Sequence, residues 1–116
     1  MSAFDESNLE VTPEQTAQAL ADGSAQLVDV REDYEWEAGR IDGARHVELQ
    51  QLSSQAETID PERPVIFQCR SGGRSLMAAQ AFRGAGYQAY SMAGGLLDWV
   101  AEGRPIVPED GEVASH

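Results

Sequence analysis

Residues 65–75 read Val65-Ile66-Phe67-Gln68-Cys69-Arg70-Ser71-Gly72-Gly73-Arg74-Ser75. An apolar run behind Pro64 has the length and branching of a buried strand, 64–68. Arg74 to Arg83 then carries a helical pattern, with Leu76, Ala79 and Phe82, or Met77 and Ala81, turned to a core. Between them lies a glycine turn with the only cysteine of the chain at its start. A strand that passes through Gly72-Gly73 straight into a helix sets Cys69 at the carboxyl end of the strand and over the amino end of the helix.

Outward from this junction, strand and helix patterns alternate. On the amino side, Leu9 to Val11 is a short strand. Thr12-Pro13-Glu14-Gln15 starts a helix: threonine at the cap, proline at the first helical position, glutamine three residues on. Ala17, Leu20 and Ala21 give it one apolar face, and Asp22-Gly23 stops it. Gln26 to Val30 is a buried strand. Arg31 to Ala38 is a short helix with Trp36 inward, and Gly39 closes it. Asp42-Gly43 turns the chain into a brief strand, Arg45 to Val47, and a helical stretch from Leu49 to Ile59. On the carboxyl side, Gln88 to Ser91 is the last strand. Gly94-Gly95 leads into a helix carrying Leu96, Leu97, Trp99 and Val100, and Gly103 ends it. Strand-helix alternation throughout predicts an α/β domain with a mainly parallel sheet and helices on both faces. Ligands of such sheets sit outside the carboxyl ends of the strands, where Asp29, Cys69 and Ser91 fall.

Composition narrows the function. A chain of 116 residues is one domain, here 9–107, between a polar stretch, 1–8, and a tail, 108–116, both expected to be flexible. One cysteine cannot form an internal disulfide, and the acidic start has no secretory pattern, so a reducing cytoplasm is expected. No apolar stretch approaches the roughly 18 residues that span a bilayer. The formal net charge is -12 and all eight basic residues are arginine. Such a surface repels nucleic acid and anionic lipid. Against it, Arg70 and Arg74 flanking the cysteine form a local positive patch suited to a small anion. His46 and His116 lack ligand-spaced partners, so neither a metal nor another cofactor is expected.

The cysteine loop carries the chemistry. A thiolate, not a thiol, attacks sulfur. The dipole of the following helix, the unpaired amides of Arg70 to Ser75 and the two guanidinium groups can each hold negative charge there. The same donors, with the Ser71 and Ser75 hydroxyls, suit an anionic sulfur donor or a persulfide. Asp29 is expected to accept hydrogen bonds from nearby loop amides. Arg31 and Glu35 have the spacing of an i,i+4 pair. The acidic run Glu32 to Glu37 reads as a solvated helix face, Trp36 and Trp99 as core, and Met77 and Met92 as core filler.

At these residues the chain resembles the rhodanese-like sulfurtransferases in single-domain form. Leu27-Val28-Asp29-Val30-Arg31-Glu32 is similar to the Asp-Val-Arg strand end of that family. Gly39 to Val47 is similar to its Gly-His-Ile-x-Gly-Ala segment, with Arg40 in place of the histidine. Cys69 to Ser75 resembles its active-site loop, and Gly94-Gly95 with Trp99 its Gly-Gly-x-x-x-Trp ending. The resemblance implies a five-stranded parallel α/β domain with Cys69 as sulfur-carrying nucleophile, and a donor-binding cradle formed by Arg70, Ser71, Gly72, Gly73, Arg74 and Ser75. It implies thiosulfate sulfurtransferase activity: sulfur passes from a small anionic donor through a Cys69 persulfide to cyanide, a thiol or a protein. A monomer or weak dimer is expected. Two alternatives stand beside it. One is a sulfur-carrier or regulatory binding module with little turnover of its own. The other is a cysteine-dependent phosphatase, disfavoured because such enzymes place one more residue between cysteine and arginine than the four, Arg70 to Gly73, found here.

Overall fold

The computed structural model describes residue 5 and residues 7–115; most of the expected flexible stretch 1–8, and His116, lie outside the described residues. Five strands form one sheet: β1 (Glu10–Val11), β2 (Gln26–Asp29), β3 (Arg45–His46), β4 (Val65–Gln68) and β5 (Ala89–Met92). Their order is β1-β5-β4-β2-β3 and every pairing is parallel. The helices are α1 (Pro13–Asp22), α2 (Asp33–Ala38), α3 (Leu52–Gln55), α4 (Gly73–Gly84) and α5 (Gly95–Ala101), with short 3₁₀ turns on either side of α3. None of the described helices is long and apolar enough to cross a membrane.

Local sequence explains the main boundaries. Thr12 caps α1 by accepting from the Gln15 amide at 3.0 Å while the Gln15 side chain returns to the Thr12 amide at 2.8 Å. Gly23 ends α1 in the left-handed conformation, φ 74°. Every residue of β4 and β5 is buried, as expected of central parallel strands covered on both sides.

Two cores result. Val28, Val30, Val65, Phe67 and Cys69 pack under α4 through Ala78, Ala79 and Phe82. Leu27, Ile66, Tyr90 and Met92 face α1 and α5 through Ala19, Leu96 and Trp99. Fully burying one such aliphatic or aromatic side chain is worth about 1.5–3 kcal/mol, so both faces contribute to holding β4.

Several side chains depart from the sequence reading. Met77 is exposed, because α4 buries Ala78, Ala79 and Phe82 instead. Trp36 is only half-buried; it stacks on His46 at 4.8 Å, with the Arg40 guanidinium 5.1 Å from its ring centre. Arg31 does not pair with Glu35. It folds back on Asp29, with Nη2 to Oδ2 at 2.7 Å and both side chains fully buried.

The segment read as a loose tail also has partners. Arg40 and Val107 exchange backbone hydrogen bonds of 2.9 and 2.7 Å, and the Glu112 amide donates to the Ala38 carbonyl at 2.8 Å. Ile106 and Val113 pack on the α1/α5 core. Hydrogen-bonded contacts to the rest of the domain therefore reach residue 115, where the Tyr34 hydroxyl donates to the Ser115 carbonyl at 3.1 Å.

Candidate active site

Cys69 follows β4, and the loop to α4 closes over it. The Gly72 amide donates to Cys69 Sγ at 3.1 Å and the Ser75 amide at 3.4 Å. Gly72 has φ 111°, a conformation that favours glycine and turns its N–H back onto the sulfur. The Ser75 hydroxyl lies 3.5 Å from Sγ, donates to the Gly72 carbonyl at 3.1 Å and shares a 2.7 Å contact with Ser91 Oγ. Ser91 reaches this position from the end of β5, the neighbouring strand. Only 1% of Cys69 is exposed, so a reagent must enter the loop to reach it.

The amides of Arg70, Ser71, Gly73 and Arg74 have no hydrogen-bond partner among the described residues. Free donors in the first turn of a helix and the loop before it are the ingredients of an anion site. The loop is braced from behind by α5: Leu96 donates to the Cys69 carbonyl at 2.8 Å and Leu97 to the Arg70 carbonyl at 3.0 Å. Gly95 makes this possible. A Cβ there would fall 2.5 Å from the Cys69 oxygen and 2.6 Å from the Arg70 carbonyl, and its φ is +60°.

The two loop arginines differ in what they touch. Arg74 is committed to Glu35, Nη1 to Oε1 at 2.7 Å and Nη2 to Oε2 at 2.9 Å, and Glu35 is fully buried. This hydrogen-bonded pairing raises the Arg74 pKa above its ordinary value; burial works against it, and the Glu35, Cys69 and Asp29 charges add to it. Arg74 thus ties the loop to α2 with its charge already compensated. Arg70 donates only through Nε, to the Ala114 carbonyl at 3.2 Å. Its Nη1 and Nη2 have no partner among the described residues.

The structure brings Cys69, Gly72 and Ser75 together. Asp29 meets one expected partner type, since it accepts from the Arg31 amide at 3.0 Å, but its main load is the Arg31 side chain. Two participants were not foreseen. Glu35 reads as part of a solvated acidic run, although a buried loop arginine needs a counter-charge, and Glu32-x-x-Glu35 is a helix-start pattern. Glu35 does return to the Glu32 amide at 3.1 Å. Ala114 acts through its backbone, which no side-chain pattern discloses.

A parallel α/β sheet that presents a cysteine under a ring of amides at the end of its central strand defines a class of domain. Residues 12–102 match the family described as Rhodanese-like domain, and the chain belongs to it. It is 33% identical over 104 residues to a protein named Sulfurtransferase from Allochromatium vinosum, covering 88% of this chain and 97% of that one. It is 32% identical over 101 residues to Thiosulfate sulfurtransferase GlpE of Pseudomonas aeruginosa, covering 86% of this chain and 87% of that one. Its fold matches the crystal structure of a rhodanese-related protein from Thermoplasma volcanium with a TM-score of 0.78 and 21% identity, over 84% of this chain and 96% of that chain.

Proposed function

We propose that this protein is a sulfurtransferase that carries sulfane sulfur on Cys69 and accepts it from an anionic donor such as thiosulfate. The observation that carries the reading is the convergence of the Gly72 and Ser75 amides on Sγ, in a loop with further unpartnered amides. Donors aimed at one sulfur stabilise negative charge on it, and the thiolate is the attacking form.

The Cys69 thiolate attacks the outer sulfur of thiosulfate. A new S–S bond forms, the S–S bond of thiosulfate breaks, and its electron pair leaves with sulfite. The enzyme then holds Cys69–S–S⁻, its charge on the outer sulfur. A thiophilic acceptor attacks that sulfur and returns the electron pair to Cys69. With cyanide the product is thiocyanate; a thiol or a protein thiol takes the sulfur as a persulfide. This is covalent catalysis in two half-reactions. No cofactor takes part in either half-reaction, and a reducing cytoplasm would keep the single cysteine free between turnovers.

The covered thiol, 1% exposed, also supports a carrier that exchanges sulfur slowly until a partner docks. Steady-state thiosulfate turnover in the absence of any added protein separates a self-sufficient enzyme from such a carrier. The phosphatase alternative stays disfavoured on loop length, since only four residues separate Cys69 from Arg74. Intact-mass measurement after thiosulfate exposure tests the main reading. One sulfur atom is expected on Cys69, removable by cyanide and absent in Cys69→Ser. A wild-type protein that gains no sulfur, or a serine variant that still transfers it, refutes the proposal.

A further inference from the structure

Residues 104–115 lie outside the stretch that matches the family, yet they run along α2 to the rim of the cysteine loop. The path is closely fitted. Gly39 and Gly111 meet where the strap crosses the end of α2: a Cβ on Gly39 would fall 2.5 Å from the Glu112 carbonyl oxygen, and one on Gly111 2.7 Å from that of Ala38. Gly39 has an extended backbone, so its lack of a side chain serves space and not conformation. Beyond the crossing, Val113 packs on core residues and the Tyr34 hydroxyl donates to the Ser115 carbonyl at 3.1 Å. Between those two fixed points the Ala114 carbonyl accepts from Arg70 Nε at 3.2 Å.

From this arrangement we infer that the strap is a positioning element of the active site: its Ala114 carbonyl holds Arg70 so that Nη1 and Nη2 serve as the charged donors for the anionic sulfur donor. The inference rests on the sulfurtransferase reading and assigns donor recognition within it. Arg74 is less suited to that role, because its charge is already compensated by Glu35, which takes one N–H from each Nη. Arg70 keeps its terminal donors open because the strap takes only Nε. A planar guanidinium fixed at Nε presents its remaining N–H groups in one orientation, which reduces the freedom lost when an anion binds.

The test uses two charge-neutral changes in the strap's seat, away from the loop. Gly111→Val forces the strap off α2, because the new side chain meets backbone atoms. Tyr34→Phe removes only the far anchor from a half-exposed side chain and leaves the fold intact. Each is expected to raise KM for thiosulfate with kcat unchanged, by up to about fivefold, the factor set by one lost hydrogen bond. In an Arg70→Ala background neither is expected to add anything. A second readout needs no turnover: the rate of Cys69 alkylation by iodoacetate relative to neutral iodoacetamide should fall in both strap variants and in Arg70→Ala. Unchanged KM and alkylation ratio in the strap variants overturn the inference. So does an equal effect with and without Arg70. If wild-type protein transfers no sulfur from thiosulfate, the transfer reading fails by itself, and the alkylation ratio still decides the role of the strap.

Discussion

Glu35→Gln separates two roles that the loop arginine could play. The substitution keeps the size and hydrogen-bonding shape of the side chain but removes its charge. In the wild type, Glu35 is fully buried and grips Arg74 at 2.7 and 2.9 Å. Removing one partner of a fully buried pair costs about 3–5 kcal/mol. The Arg74 side chain is 19% exposed, so water can take up part of the released guanidinium. A loss of roughly 2–3 kcal/mol follows, or a fall in Tm on the order of 10 °C for a domain of this size. The Arg74 charge, no longer compensated, then stands beside Cys69, and KM for thiosulfate should fall. Arg74→Met should do the reverse to KM, since it removes the guanidinium that balances the Glu35 carboxylate. The double variant should regain part of the stability that either single change loses. Urea denaturation and steady-state kinetics on the four proteins measure both quantities. Additive stability losses, or a KM that moves the same way in both single variants, would refute the assignment of Arg74 to loop anchoring. The pH dependence has a definite sign. The folded-state pKa of Arg74 is raised by its pairing. Its contribution is therefore complete below the ordinary arginine value and is lost only as pH rises through the raised one. Arginine titration should thus produce no stability change anywhere in the neutral or mildly alkaline range.

Two more substitutions probe the frame of the loop. Gly95→Ala places a Cβ 2.5 Å from the Cys69 carbonyl oxygen at φ +60°, and should cost about 1–3 kcal/mol for the backbone conformation alone while pushing the loop from α5; thermal melts and transfer rates should fall together, and a variant with unchanged rates would show that α5 does not brace the loop. Ser91→Ala removes the 2.7 Å contact to Ser75 Oγ and should cost about 1 kcal/mol of stability with a modest fall in sulfur loading, whereas full activity at unchanged stability would remove Ser91 from the site.

The strand-turn-helix frame around Cys69 is legible in the sequence alone, and the reasons are local. Val65 to Ser75 encodes its own geometry: an apolar run fixes the strand, two glycines permit the turn, and the helix pattern begins at once. No distant contact is needed to place Cys69. Thr12-Pro13-Glu14-Gln15 is legible for the same reason, since a capping box is satisfied within four residues. What stayed hidden depends on separation along the chain. Glu35 and Arg74 are joined only because β2 and β4 are neighbours, so the acidic run around Glu35 looks solvated until the sheet order is known. Arg31 and Glu35 have helical spacing, but Arg31 lies before α2 begins and turns back to the strand end instead. The strap is the hardest case. Its polar composition reads as a tail, and its decisive contact is a main-chain oxygen 44 residues from its donor.

The charge arrangement gives the loop its selectivity. Two pairs, Asp29–Arg31 and Glu35–Arg74, place full charges near the cysteine and cancel them within each pair. What remains for a ligand is a set of neutral amide dipoles and the open face of one guanidinium. Such a field acts over a few ångströms and not across the protein, whose net charge of -12 repels anions at long range. A multiply charged phosphate ester would meet a loop arginine whose charge Glu35 already balances. On the proposed reading, a single sulfur atom with one unit of charge carried on Cys69 needs little more than the loop amides. The loop amides therefore hold the sulfur carried by Cys69 on that reading, and capture of the donor falls to Arg70 and the strap that steadies it.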